Sequence, residues 1–145
     1  MLSDPRVVAR LATCCGVISA WSSFPVICQE TTRPAKSVFG VYGQLTPGHD
    51  SIQVTEKANH RIGVKLKLYY SNGHTCHLNK DGKWNGDHVA IVAEGLDANR
   101  PCRLNLFFEK RSILLKDEDL QCAPVYCGTR GKLDKVNLPK FGDRK

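Results

Sequence analysis

No apolar run in this sequence reaches the 18 or so residues that a membrane-spanning helix needs. There is no Gly-x-Ser-x-Gly elbow, no His-Glu-x-x-His pair and no phosphate-binding glycine loop. Those absences remove the usual marks of serine hydrolases, zinc peptidases and nucleotide enzymes. Zinc-finger spacings, an RNP-type aromatic strand and a helix-turn-helix pattern are missing too, so nucleic-acid recognition is not expected. Beyond the amino-terminal stretch, no segment of a dozen residues carries a helical apolar stripe. What is present is globular in character, with 41% hydrophobic and 24% charged residues, 12 Gly and 7 Pro in 145 residues. That length suits a single domain.

The amino terminus has the grammar of an export signal. Arg6 and Arg10 face only Asp4, and residues 11–20, LATCCGVISA, form a short apolar region ending in small residues. Cleavage after Ala20 and cleavage after Ser22 are both acceptable. The expected organisation is a signal at 1–22, a linker at 23–36, a β domain at 37–139 and a basic tail at 140–145. Periplasmic or secreted localisation follows.

Of the seven cysteines, removal of the signal discards Cys14 and Cys15. Cys28 sits where a lipoprotein would carry its acylated cysteine, although Pro25-Val26-Ile27 lacks the small residue such processing prefers. Cys28 is therefore a candidate lipidation site, and the only route by which the chain would join a membrane. Cys76, Cys102, Cys122 and Cys127 then allow three disulfide pairings. The expected one joins Cys76 to Cys102 and Cys122 to Cys127, because the first two lie in neighbouring predicted strands and Pro124 can turn the chain between the others. An extended path would hold Cys122 and Cys127 about 17 Å apart, so their bridge requires that turn. By chain entropy the two loops contribute roughly 3.5 and 2 kcal/mol. His74, Cys76 and His77 suggest a metal site, but on a strand His77 points away from the other two. No metal or cofactor is expected.

The rest of the chain alternates with period two. In Gly63 to Tyr70, Val64, Leu66, Leu68 and Tyr70 share one face while Lys65 and Lys67 occupy the other. Similar runs occur at Val38 to Tyr42, Ser51 to Val54, Thr75 to Leu78, His88 to Ala93, Cys102 to Phe108, Ser112 to Lys116 and Lys132 to Leu138. Turn chemistry separates them at Ser71-Asn72-Gly73, Asn79 to Asp87 (with Asp81-Gly82 and Asn85-Gly86), Asp97 to Pro101 and Lys116 to Asp119. The expected fold is all-β: an antiparallel meander of about eight strands closed into a small sandwich or barrel and held by disulfides. Phe107 would project outward, and Trp84 would sit in a glycine-rich loop, either packed down or binding a ligand.

The positive charge is concentrated at the end of the chain. Residues 129–145 carry Arg130, Lys132, Lys135, Lys140, Arg144 and Lys145 against Asp134 and Asp143, a net +4, while residues 29–128 together contribute +2. Attraction to an anionic polymer of the cell envelope is one reading of that tail. His49, His60, His74, His77 and His88, with Glu56, Glu94 and Asp87, offer acid-base groups for a small secreted hydrolase such as a ribonuclease, but at no diagnostic spacing. A binding protein is expected rather than an enzyme.

The segments Gly73-His74-Thr75-Cys76, Cys102-Arg103-Leu104 and Cys122 to Cys127-Gly128-Thr129-Arg130-Gly131-Lys132-Leu133 resemble small exported bacterial proteins of the lysozyme-inhibitor type. That group includes the carboxyl-terminal part of some lysozyme-inhibitor lipoproteins and immunity proteins against peptidoglycan-cleaving effectors. The resemblance covers roughly residues 62–139. It implies an all-β fold with structural disulfides and a role in protecting the cell wall by occluding a lysozyme-like peptidoglycan hydrolase. A basic inhibitor suits an acidic or neutral bacterial target better than a basic animal lysozyme. Arg130 and Lys132 beside the cysteine corner, and Trp84, are the candidate partner contacts.

Overall fold

The computed structural model describes residues 33–128 and 130–142. The expected signal and cysteines 14, 15 and 28 lie outside the described residues. Eight strands follow one another in space as they do in sequence, every neighbouring pair antiparallel: β1 (Gly40–Gly43), β2 (Ser51–Glu56), β3 (Arg61–Tyr69), β4 (Thr75–Trp84), β5 (His88–Asp97), β6 (Arg100–Phe108), β7 (Ser112–Glu118) and β8 (Asn137–Pro139). One short helix, α1 (Cys122–Tyr126), interrupts the meander between β7 and β8. The expected eight-strand meander is therefore the fold.

Alternation decides which residues face inward. On β3, Ile62, Val64, Leu66 and Leu68 are buried while Arg61, Lys65 and Lys67 are exposed. Register then aligns buried residues in rows across strands, such as Tyr42, Ile52, Leu66 and Leu78, or Val89, Leu106 and Leu115. Each fully buried aliphatic side chain contributes about 1.5–3 kcal/mol. The two ends of the meander meet at an antiparallel bridge between Tyr42 and Lys140, where the Phe141 N–H donates to the Val41 carbonyl at 2.8 Å. The Lys140 ammonium donates to the Ser37 carbonyl at 2.5 Å. The result is a nearly closed barrel.

An open seam lies between β4 and β5. These strands pair only at Lys83 with Ala90 and Trp84 with Val89, whereas β3 with β4 and β5 with β6 pair along most of their length. Beyond Lys83 and Ala90 the two strands diverge, and α1 packs against both.

Several sequence expectations are corrected here. Asp81-Gly82 is not a turn, because β4 runs straight through it to Trp84, which is a strand residue rather than a loop residue. Gly82 faces the core, and a Cβ there would lie 2.5 Å from Val89 Cγ1 and 3.0 Å from the Ala90 carbonyl. The glycine leaves room for Val89 and Ala90 to approach β4 closely. The chain turn is at Asn85-Gly86, as expected, with Gly86 at φ +83°. Likewise β5 runs to Asp97 and β6 begins at Arg100, so the loop expected from Asp97 to Pro101 shrinks to Ala98-Asn99. β7 continues to Glu118, and the chain reverses at Asp119 and Leu120, both left-handed. The strand expected over Lys132 to Leu138 is reduced to Asn137–Pro139, because Lys135 adopts φ +61° and interrupts an extended path.

Gly82→Ala should destabilise the barrel by about 1–3 kcal/mol through overpacking against Val89 and Ala90, which outweighs the lower unfolded-state entropy of alanine. The check is a urea titration, where the midpoint should fall; an unchanged midpoint would show that β5 yields freely.

Candidate functional site

The carboxyl-terminal corner is built around α1. Its first residues, Cys122 and Ala123, present backbone N–H groups that have no partner within a helix. Asp117 on β7 takes both, accepting the Cys122 N–H at 3.1 Å and the Ala123 N–H at 2.9 Å. The third residue, Pro124, has no N–H to satisfy, so a proline is tolerated there. Gly128, left-handed at φ +71°, follows the helix end as a cap residue.

Two disulfides hold this helix, but not in the expected pairing. Cys76 on β4 joins Cys127, and Cys102 on β6 joins Cys122. The physical reason is the helical path. Five residues of helix separate Cys122 and Cys127 by about 7.5 Å along the axis, beyond the 7 Å limit for a bridge. Cys76 and Cys102 in turn lie on strands separated by β5 and by the open seam. The helix takes one cysteine from each side, and all four are buried in the core. The observed loops span 51 and 20 residues, one nested in the other. Taken singly they contribute about 4 and 3 kcal/mol by chain entropy, more than the expected pairing offered. Such bridges fit an oxidising compartment outside the cytoplasm. Among the described residues no helix is long and apolar enough to cross a membrane.

From this staple the chain continues into the segment that carries Arg130 and Lys132, and Thr129 between them and the helix lies outside the described residues. The segment is fixed from several sides. Leu133 is fully buried, Tyr70 Oη donates to the Lys132 carbonyl, and Gly131 packs so closely on Cys127 that a Cβ would lie 2.2 Å from the Cys127 Cβ. Arg130 and Lys132 point into solvent from this frame. Beside them a concavity of about 540 Å³ runs between α1 and the segment, lined by Leu120, Pro124, Gly128, Lys132 and Lys135 among others. Leu120 and Val125 are exposed apolar residues of the same corner.

Trp84 stands elsewhere. It occupies the opposite end of β4 from Cys76, about 26 Å along the strand, so it is not gathered with Arg130 and Lys132. Its ring packs down, with its centroid 6.0 Å from Phe108, which in turn meets Tyr42 at 5.9 Å. The indole Nε1 is buried without a hydrogen-bond partner among the described residues. Two concavities border it, one of about 390 Å³ with Arg33, Asn59 and Lys83, the other of about 520 Å³ with Val38, Asp87 and Glu109.

The remaining candidates are dispersed. Phe107 does face outward, stacked on His88 at 4.8 Å, while His88 Nδ1 lies 2.6 Å from an Asp87 carboxylate oxygen. Glu56 pairs with Arg33 and Glu94 with Lys80. Cys76, considered with His74 and His77, is in a disulfide instead, and no group of three metal-ligating side chains occurs among the described residues. No family model, curated protein or solved structure matches the chain.

Sequence reasoning missed Asp117, which looks like one more carboxylate in Lys116 to Asp119 yet is 3% exposed. Burial raises its pKa above the ordinary carboxylate value, the nearby Asp134 charge adds to the rise, and the N–H groups of α1 oppose it. An acid held more tightly protonated in the folded state contributes stability below its unfolded pKa and loses it as pH rises through the folded pKa. The stability advantage of the wild type over Asp117→Asn should therefore shrink between pH about 4 and neutrality in chemical denaturation. An advantage that grows with pH would show that the helix N–H groups, not burial, govern the site. Asp117→Ala, which loses both acceptors, should cost about 1–2 kcal/mol near pH 4 and less toward neutrality, for the same reason.

Proposed function

We propose that this protein is an exported inhibitor or immunity protein that occludes the cleft of a lysozyme-like peptidoglycan hydrolase. The observation that supports this reading is the carboxyl-terminal corner, where two cationic side chains stand out beside Gly131, packed on Cys127, and the buried Leu133. Hydrolases that cleave glycosidic bonds carry a pair of carboxylates on either side of the scissile bond. A guanidinium or ammonium delivered between them makes charge-assisted hydrogen bonds, and Arg130 offers the bidentate geometry a carboxylate accepts. Because the segment is already ordered, little conformational entropy is lost on docking. Trp84, at the far end of β4, would be a separate second contact.

The full chain, produced with its disulfides formed, should slow peptidoglycan lysis by a cognate hydrolase. Arg130→Ala and Lys132→Ala should each weaken inhibition by about 30-fold or more, the effect of truncating one partner of a desolvated charge pair. Lack of inhibition across a panel of lysozymes and cell-wall hydrolases, acidic and neutral bacterial enzymes included, removes the proposal.

A further inference from the structure

The +2 of residues 29–128 hides two opposed halves. Residues 51–84, which carry β2, β3 and β4, hold Lys57, Arg61, Lys65, Lys67, Lys80 and Lys83 against Glu56 and Asp81, a net +4. Residues 85–121, which carry β5, β6 and β7, hold five Lys or Arg against seven Asp or Glu, a net −2. Because the meander places consecutive strands side by side, and the seam falls between β4 and β5, the two halves of the chain become two sides of the barrel.

Register shows what the basic side presents. On its outer face Lys67 lies between Ser51 and His77, Lys65 between Gln53 and Asn79, and Arg61 beside Lys83, all of them except Ser51 exposed. Alternate residues of a strand stand about 6.7 Å apart and adjacent strands about 4.8 Å apart, so the cations form a regular array. Asp81 answers two of them, at 2.6 Å from the Lys57 ammonium and 3.1 Å from the Arg61 guanidinium. Lys65 and Lys83 make no ion pair among the described residues, and the Lys67 ammonium rests 5.1 Å above the Tyr69 ring. Uncompensated like charges on one face repel one another and hold counterions, whose release favours binding to a multivalent anion.

The chemistry between the lysines narrows the partner. Gln53, Thr55, Thr75 and Asn79 fill the gaps, and the large exposed apolar residues, Leu45, Val92, Leu96, Leu120, Val125 and Phe141, all lie outside these three strands. Protein interfaces are anchored by buried aromatic or aliphatic residues and are depleted in lysine. Apart from Tyr69, beneath the Lys67 ammonium, this face has the opposite make-up.

We propose that the outer face of β2, β3 and β4 binds a flexible linear polyanion, a polymer bearing repeated phosphate or carboxylate groups. The site is distinct from the Arg130 and Lys132 corner and from the carboxyl-terminal tail, and it stands or falls independently of the inhibitor reading.

The test measures binding of the full chain to long-chain polyphosphate and to poly-glutamate across a salt series, the two probes separating phosphate from carboxylate as the recognised group. Binding to at least one should show log affinity falling linearly with log salt. Lys65→Glu with Lys67→Glu should weaken it by about tenfold or more at low salt and flatten the salt slope by about one to two. Lys110→Glu with Lys116→Glu, the same charge change on the other side, should leave affinity within about twofold. Should the reversed pair melt early, Lys65→Gln with Lys67→Gln gives the same comparison with a smaller charge change. Equal losses in the two pairs, loss confined to Arg144→Gln with Lys145→Gln, or no binding to either polymer at low salt would each overturn the proposal. So would binding to acidic folded proteins without binding to polymer.

Discussion

Pairing between β4 and β5 stops after two residue pairs, and the architecture of one end of the barrel depends on how that gap is filled. Diverging strands expose an interior edge and would leave the core open to water. A five-residue helix covers it, too short to be stable in isolation. Its stability comes from three anchors: Cys122 bonded to β6, Cys127 bonded to β4, and the Asp117 carboxylate on β7 that takes the two leading N–H groups. Each anchor belongs to a different strand. The helix therefore ties together the two sides of the seam, β4 on one and β6 and β7 on the other.

The corner that carries Arg130 and Lys132 inherits its rigidity from this arrangement. Gly131 fits against Cys127 only because it lacks a Cβ, and Leu133 enters the core immediately afterwards. These two exposed cations project from a backbone that a disulfide, a buried leucine and a tyrosine hydroxyl contact within a few residues. At the far end of β4 the same strand carries Trp84 into an aromatic cluster with Phe108 and Tyr42. One strand thus links both ends without bringing their residues together.

Much of the fold was legible because a half-buried strand writes its geometry directly into the sequence. Val64, Leu66 and Leu68 against Lys65 and Lys67 need no partner to be read. What was not legible depended on neighbours in space. Gly82 looks like a turn residue and is a point of close approach, a distinction set by Val89 on another strand. α1 is too short for a periodic stripe, and Pro124 reads as a turn unless its place in the first helical turn is known. The cysteines that pair could be chosen by position, but the connectivity could not, since it depends on where the sheet splits. Charge was averaged over a window that straddled that same split.

The meeting of Val41 with Phe141 closes a loop of about 100 residues, one of the longest-range contacts the fold can make. Until the last strand is in place, β1 and β7 both present bare backbone edges, and the core row beginning at Tyr42 has no wall beyond it. A chain whose last strand is not yet docked has the order of its strands but not yet the barrel. Completion waits for residues 137–141, the last of the chain to enter the sheet.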